Sequence, residues 1–471
     1  MGLAREVRLP KGKELSTISR SSKKQVPYTE MDYNNTATKL VLITKKSIEN
    51  PQEKFTSLAY LLNEEYLFDC YRELKKDKAA GIDGMRLEDY TEEDIRREIA
   101  ETVARMKTKR YRPKPVRRVY IRERKDKLRP LGIPAIIDKV VQLGIKKILE
   151  AIFEPHFLDS SYGFRPNRSC HQALKAVYQT AMAKPVNWII DADIKGFFDN
   201  VDHYWMIECL NQRINDPSYR SLIIKFLKAG VIEEGKYYET EKGTPQGGVL
   251  SPILANIYLH YILDLWFEKV EKQRIRGYAT EIRYADDFII TAQTKPEAER
   301  ILQDLKERLE KFGLELSKDK TRIIEFGRYA QENSKNRGKR KPDTFDFLGF
   351  THYCSKSRKG NFLLKAKTSR KKFNKRIKEL NQWLRATRNM LKTEDIWKAL
   401  TLKLTGHYNY YGISGNSSSI QTYYYWTLLL TFKWLNRRSQ KQSFNWEQFT
   451  EHLKRYPLPK PALVYNLYDS W

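Results

Sequence analysis

The stretch Arg283-Tyr284-Ala285-Asp286-Asp287-Phe288-Ile289-Ile290 sets two adjacent carboxylates between two short β-prone runs. Glu281 to Tyr284 alternates polar and apolar as a half-buried strand does, and Phe288-Ile289-Ile290 reads as a second strand. The pattern predicts a tight hairpin with Asp286 and Asp287 at its tip. Two acids forced together raise one another's pKa unless a cation sits between them. Hard oxygen donors of this kind suit Mg²⁺, which is usually held by one or two carboxylates plus substrate phosphates. A hairpin alone does not complete such a site, so a further carboxylate is expected on a neighbouring strand.

Asn187 to Ile194 is the best donor, an apolar strand that turns acidic at its C-terminal end. Period-two alternation puts Asp191 and Asp193 on one face. Taken singly, an acidic dipeptide in a turn is as readily a solvated turn as a metal site. The set is more specific, because Pro245-Gln246-Gly247-Gly248-Val249-Leu250-Ser251-Pro252 lies between the two acidic motifs. Together these residues resemble the reverse transcriptases encoded by group II introns. That family carries a Tyr-Ala-Asp-Asp box, an Asp-Ile-Lys-Gly-Phe-Phe motif and a Pro-Gln-Gly loop. The resemblance covers about residues 56–440.

The resemblance implies an α/β right-hand polymerase fold, fingers and palm with an antiparallel sheet, followed by an all-α thumb and maturase domain. The expected parts are a basic extension (1–55), fingers (56–185), a palm with finger elements inserted (186–360), thumb and maturase domain (361–440), and a short tail (441–471) as a candidate DNA-binding remnant. It further implies that Asp193, Asp286 and Asp287 are catalytic. With Ile194 they would form the metal set for two Mg²⁺ ions, Mn²⁺ being a substitute. Nucleotide binding would fall to Arg129, Arg124, Phe197, Gln246 and Lys320. Arg129 and Arg124 would meet the triphosphate, on a hairpin where Glu123 replaces the usual lysine. Phe197 would be the ring against the sugar's 2′ position, with Phe198 in the core. Lys320 would protonate the departing pyrophosphate. Template or RNA contacts would come from Arg165, Arg168, Gly247, Lys371, Lys372 and Arg376. Phe345 to Phe350 resembles the hairpin that steadies the primer's 3′ end. For Arg165 and Lys320 a loop anchor and a surface lysine are the plain alternatives.

Local signals mark the connecting elements. Ser169 with Gln172 is a capping box that opens a helix, and Pro296 suits the first turn of another, ending near Phe312. Residues 138–154 and 252–270 read as long helices, 328–343 as a basic loop and Lys365 to Arg388 as a basic helical segment.

Charge narrows the partner. The formal net charge is +29 and the sequence pI is near 9.6, which calls for a polyanion, nucleic acid before membrane. Residues 351–471 hold 23 Lys and Arg against 6 Asp and Glu, a net +17, so this last quarter carries over half of the excess. Cations interleaved with tyrosine and tryptophan there have the composition of an RNA-binding helical surface. No apolar run approaches the roughly 20 residues needed to span a bilayer. The cysteines Cys70, Cys170, Cys209 and Cys354 show no Cys-x-x-Cys spacing, so neither a disulfide framework nor a zinc site is expected.

The functional expectation is an RNA-directed DNA polymerase that binds group II intron RNA as a splicing maturase and copies it into cDNA during retrohoming. Its partners would be the intron RNA in a ribonucleoprotein, a DNA target or primer, and dNTPs, without a membrane. Its place would be the bacterial cytoplasm near the nucleoid, with an organelle as the other option. No His/Asn/Cys cluster follows the helical region, so an endonuclease domain is not expected. The competing readings are an RNA-binding splicing factor without catalysis, and a reverse transcriptase used in defence, CRISPR adaptation or repair.

Overall fold

The computed structural model describes residues 35–75, 79–124, 127–244, 247–438 and 443–468. The expectations for Gln246 and for the Arg124 side chain fall outside the described residues.

The described residues open with α1 (Thr36–Glu49), α2 (Glu64–Glu73) and α3 (Glu92–Lys107), capped by the Asn35, Asn63 and Thr91 side chains. Next come the hairpin β1 (Val116–Arg124) and β2 (Lys127–Ile133), then α4 (Ile136–Phe153). α4 is buried on most sides, Asp138, Lys139 and Gln142 included, because α1, α2 and α9 (below) all pack on it. The Ser169–Gln172 capping box forms and opens α5 (Cys170–Ala183).

β3 (Trp188–Asp193) leads through α6 (Phe197–Asn200), α7 (His203–Asn211) and α8 (Pro217–Leu227) to the small hairpin β4 (Val231–Glu233) and β5 (Lys236–Tyr238). The expected helix over 252–270 forms with interruptions. α9 (Ser251–Leu259) passes into π-helical turns at His260–Asp264 and Phe267–Glu271, a widening that often marks functional regions. β6 (Ala279–Tyr284) and β7 (Asp287–Ala292) follow, then α10 (Lys295–Lys311), whose Ala298, Ile301, Leu305 and Leu309 form one buried stripe.

After β8 (Arg322–Glu325), the supposed basic loop carries α11 (Ala330–Asn336). β9 (Phe345–Phe347), β10 (Phe350–Lys356) and β11 (Phe362–Thr368) then form a separate sheet, so Lys365 lies on a strand and the basic helix starts later. The C-terminal part is helical: α12 (Arg370–Thr387), α13 (Thr393–Tyr411), α14 (Ser417–Leu435) and α15 (Trp446–Arg455).

The central sheet runs β6-β7-β3-β8, all antiparallel, and a second four-stranded sheet runs β2-β1-β4-β5. Strands buried on both faces read as continuous apolar runs. Accordingly Ile190, Ala192, Phe288 and Ile290 enter one core with α4 and α9, while Ile189, Ile282, Ile289 and Ile324 enter another with β9, β10 and the C-terminal helices. By that alternation Asp191, Asp193 and Asp287 share the second face. All four cysteines are free. Among the described residues no helix is long and apolar enough to cross a membrane.

Candidate active site

The hairpin forms with Tyr284 opposite Asp287, leaving Ala285 and Asp286 as its two-residue turn. Ala285 sits at φ +57°, which costs a non-glycine residue roughly 1–2 kcal/mol. The surroundings hold it there. Gly163 lies so close that an added Cβ would fall 2.3 Å from the Ala285 nitrogen, so only glycine fits. The same segment bonds to the strand, with Tyr162 N–H donating to Arg283 O and Arg283 N–H to Ser160 O, both at 2.8 Å.

Behind the turn Arg283 is fully buried. Its guanidinium donates to both Asp264 oxygens (2.6 and 2.5 Å), to Asn256 Oδ1 (3.2 Å) and to the Ala285 carbonyl (3.0 Å). Asn256 in turn donates to Gly163 O at 2.8 Å, so the turn, the Gly163 loop and α9 are one network. Burial works against the Asp264 charge, but the Arg283 guanidinium and His260 together hold the carboxyl below its ordinary range. Burial first and the neighbouring Asp264 second push the Glu281 carboxyl well above its ordinary range. The widened helix at His260–Asp264 is what brings Asp264 under this hairpin.

β3 delivers the third acid. Its register with β7 sets Asp193 directly opposite Asp287, and directly opposed side chains lie on one face about 5 Å apart at Cβ. Asp286 is pushed up by burial, opposed by its own backbone N–H and by Arg129, and raised further by Asp193. Asp287 is pushed up to about 7, chiefly by burial and then by Asp286. The Leu348 backbone works the other way. Asp191 is tied instead to Arg322 at 3.2 Å. Lys320 reaches the site, its Nζ 2.6 Å from Asp193 Oδ2. It is carried by a turn in which Ser317 N–H donates to the Asp193 carbonyl at 2.8 Å and Leu316 bridges Ile194. The Ile194 side chain points into the core, so any contribution to an ion would come from its carbonyl.

No group of three His, Cys, Asp or Glu side chains among the described residues closes around a common ion position. The donor set nevertheless fits Mg²⁺. Two carboxylates crowd each other on adjacent strand ends, and Mg²⁺ needs only one or two of these when phosphates and water complete its shell.

A family model described as reverse transcriptase (RNA-dependent DNA polymerase) matches residues 113–352. The chain belongs to that family. With it comes the right-hand polymerase fold. Among relatives, "Group II intron-encoded protein LtrA" of Lactococcus lactis is 38% identical over 302 residues, covering 62% of this chain and 50% of its own length. "Protein YkfC" of Escherichia coli is 37% identical over 243 residues, covering 45% and 64% respectively. "Nuclear intron maturase 4, mitochondrial" of Arabidopsis thaliana is 30% identical over 130 residues, 27% of this chain and 16% of that protein. The chain thus spans less than two thirds of the length of each of these relatives.

Within this reverse transcriptase-family frame, two expectations change. Phe197 is buried in the core, packed against Tyr258 at 6.4 Å, whereas Phe198 is the half-exposed ring. Gly196 at φ +55° starts α6 and turns the second ring outward, into a cleft it shares with Pro130 and Leu131 of β2. The ring turned outward is therefore Phe198 and not Phe197. Arg165 is buried as well. It pairs with Glu154 at 3.0 Å and donates to the carbonyls of Phe157, Leu158 and Ser161, so four of its five N–H donors are spent on anchoring the loop before α5.

The other expected residues keep to surfaces. Arg129 is exposed on β2, close enough to Asp286 to favour its charged form. Arg168 pairs with Asp159 and lies over the Tyr162 ring at 5.6 Å. Gly247, at φ +103°, rests against the Gly132 carbonyl, 3.0 Å from where a Cβ would stand. Lys371, Lys372 and Arg376 are exposed on the first turns of α12, Arg376 beside Glu379 at 3.4 Å. Sequence reasoning missed the Arg283–Asp264 pair and the role of Gly163. The alternation of Glu281 to Tyr284 placed Arg283 on the polar side of a half-buried strand, and nothing local marked it as buried.

Proposed function

We propose that the chain is the RNA-directed DNA polymerase of a group II intron, which also binds the intron RNA as a splicing maturase and copies it into cDNA. One observation carries the reading: the antiparallel register that sets Asp193 opposite Asp287, beside Asp286 at the hairpin tip. Likeness to a protein named as group II intron-encoded supports the choice of intron RNA. In this reading α1–α4 with the β2-β1-β4-β5 sheet are fingers, the central sheet is palm and α12–α15 are thumb.

Asp193, Asp286 and Asp287 would hold the Mg²⁺ ions, with the Ile194 carbonyl beside them. Bound Mg²⁺ supplies charge neutralisation at the triphosphate and a more acidic primer hydroxyl. The primer's 3′ oxygen forms a bond to the α-phosphorus while the bond to the pyrophosphate oxygen breaks. Arg129 neutralises the triphosphate with a fork suited to phosphate oxygens. Lys320, held at the edge of the acid cluster, gives the leaving pyrophosphate its proton. Phe198 closes the space a 2′ hydroxyl would need. Catalysis by such a site is nearly all positioning and charge stabilisation. The basic α12 and the aromatic C-terminal helices offer the RNA its phosphate and stacking contacts.

Primer extension on an RNA template with Mg²⁺ tests this. Wild type should make cDNA, and Asp286→Asn should abolish synthesis while RNA binding stays nearly intact. Equal loss of both, or no synthesis by wild type, would leave only an RNA-binding splicing factor.

A further inference from the structure

α6 is a single turn, Phe197–Asn200, so its carbonyls lack partners within the helix and must be met from elsewhere. The Phe198 carbonyl is met by the segment at Gly243 and Thr244. Thr244 N–H donates to Phe198 O at 2.7 Å, and Gly243 N–H donates to Val201 O at 2.7 Å. Such an approach needs glycine, here at φ +83°: a Cβ on Gly243 would stand 2.7 Å from Phe198 O and 2.9 Å from Asp199 O. The segment is thus stitched along the backbone that carries the outward-turned ring.

One side chain secures it. His203, the first residue of α7, has its Nε2 2.7 Å from the Gly243 carbonyl oxygen. A carbonyl oxygen only accepts, so Nε2 carries the proton and donates. The other ring nitrogen, Nδ1, is buried and meets no hydrogen-bond partner among the described residues. The imidazole therefore directs its polarity at this one backbone oxygen. Phe198 meanwhile lines a cleft with Pro130 and Leu131 of β2, and Gly247, a little further along the held segment, rests against Gly132 of the same strand.

We propose that His203 is a positioning residue for nucleotide selection: by donating to Gly243 O it seats Gly243 and Thr244 on the Phe198 backbone, and so sets where the Phe198 ring stands against the sugar of an incoming nucleotide. The consequence for selection rests on the polymerase reading. The hold on the segment rests on the hydrogen bonds alone.

The test uses the full chain with His203→Phe, which keeps a ring and removes the donor, and His203→Gln, which keeps an N–H donor. Single-nucleotide incorporation is measured with dNTP and with rNTP, beside hydrogen exchange read peptide by peptide, residues 241–250 included. His203→Phe should lower the dNTP-over-rNTP ratio of kcat/KM about three- to tenfold, the size of one lost hydrogen bond, and speed exchange in 241–250. His203→Gln should keep more of both. In a Phe198→Val background His203→Phe should lower the ratio no further, because its effect passes through the ring. A wild-type ratio in His203→Phe, an equal loss in both His203 variants, or a full additional loss in the Phe198→Val background overturns the proposal. Exchange raised throughout the chain rather than in 241–250 would mark a general folding defect and also overturns it. No extension by wild type, or an unchanged ratio in Phe198→Val, would count against the polymerase reading of the ring, and the exchange comparison would still decide whether His203 holds the segment.

Discussion

Lys320 holds its ammonium 2.6 Å from the Asp193 carboxylate, from a turn whose own N–H at Ser317 clamps the Asp193 carbonyl. Both side chains are about half exposed, at 52% and 40%. A pair that wet adds at most about 1 kcal/mol to stability. Its geometry instead matters for chemistry, because it keeps a proton donor at the edge of the acid cluster. Lys320→Ala should therefore slow single-nucleotide incorporation by roughly 10²-fold, the usual worth of a positioned general acid, with no change in melting temperature. An unchanged rate would reduce Lys320 to a surface lysine.

The two neighbouring phenylalanines should separate cleanly. Phe198→Val should raise the incorporation of ribonucleotides relative to deoxynucleotides while leaving the melt intact. Phe197→Ala should cost about 3–5 kcal/mol of stability, as deletion of a buried ring does. Competition between dNTP and rNTP, read beside thermal unfolding, distinguishes them. The reverse pattern would restore Phe197 to the sugar-facing role.

Asp287 predicts a pH dependence. Burial first and Asp286 second push its carboxyl from the ordinary 3.8 up to about 7. Across that window the folded chain keeps a proton that the unfolded chain has released, so stability falls as pH rises. The cost is absent below the unfolded value and fully present above the folded one. In chelator, the melting temperature of wild type should decline relative to Asp287→Asn from about pH 4 to about pH 7 and then run parallel to it. Added Mg²⁺ should recover more for wild type than for the variant. A constant difference across the range would show that Asp287 titrates normally.

Behind the turn, Arg283→Leu would strand the Asp264 carboxylate in the core and should cost about 3–5 kcal/mol. Gly163→Ala is the subtler probe. Its methyl would press on the Ala285 nitrogen, displacing the turn that carries Asp286. Incorporation should fall at least about tenfold while the chain still binds RNA. Normal incorporation by Gly163→Ala would mean that the turn tolerates movement.

Much of this protein is written in local pattern. The β3 strand, the Ser169–Gln172 capping box and the helix opened by Pro296 follow from alternation, spacing and capping within a few residues and appear as read, and the acidic hairpin forms with its turn at Ala285 and Asp286 and with Asp287 already on the strand. Motif resemblance named the family before any coordinates. Tertiary structure alone decided the rest. Nothing local says that Asp193 pairs with Asp287 rather than one position along, because register is set by hydrogen bonds between distant strands. Phe197 and Phe198 are equivalent as letters, and the left-handed Gly196 determines which ring is buried. Arg165 turns inward because four partners from its own loop region converge on it. Local propensity is a property of neighbours in sequence. Burial and hydrogen-bond partnership are properties of neighbours in space, and those exist only once the chain has folded.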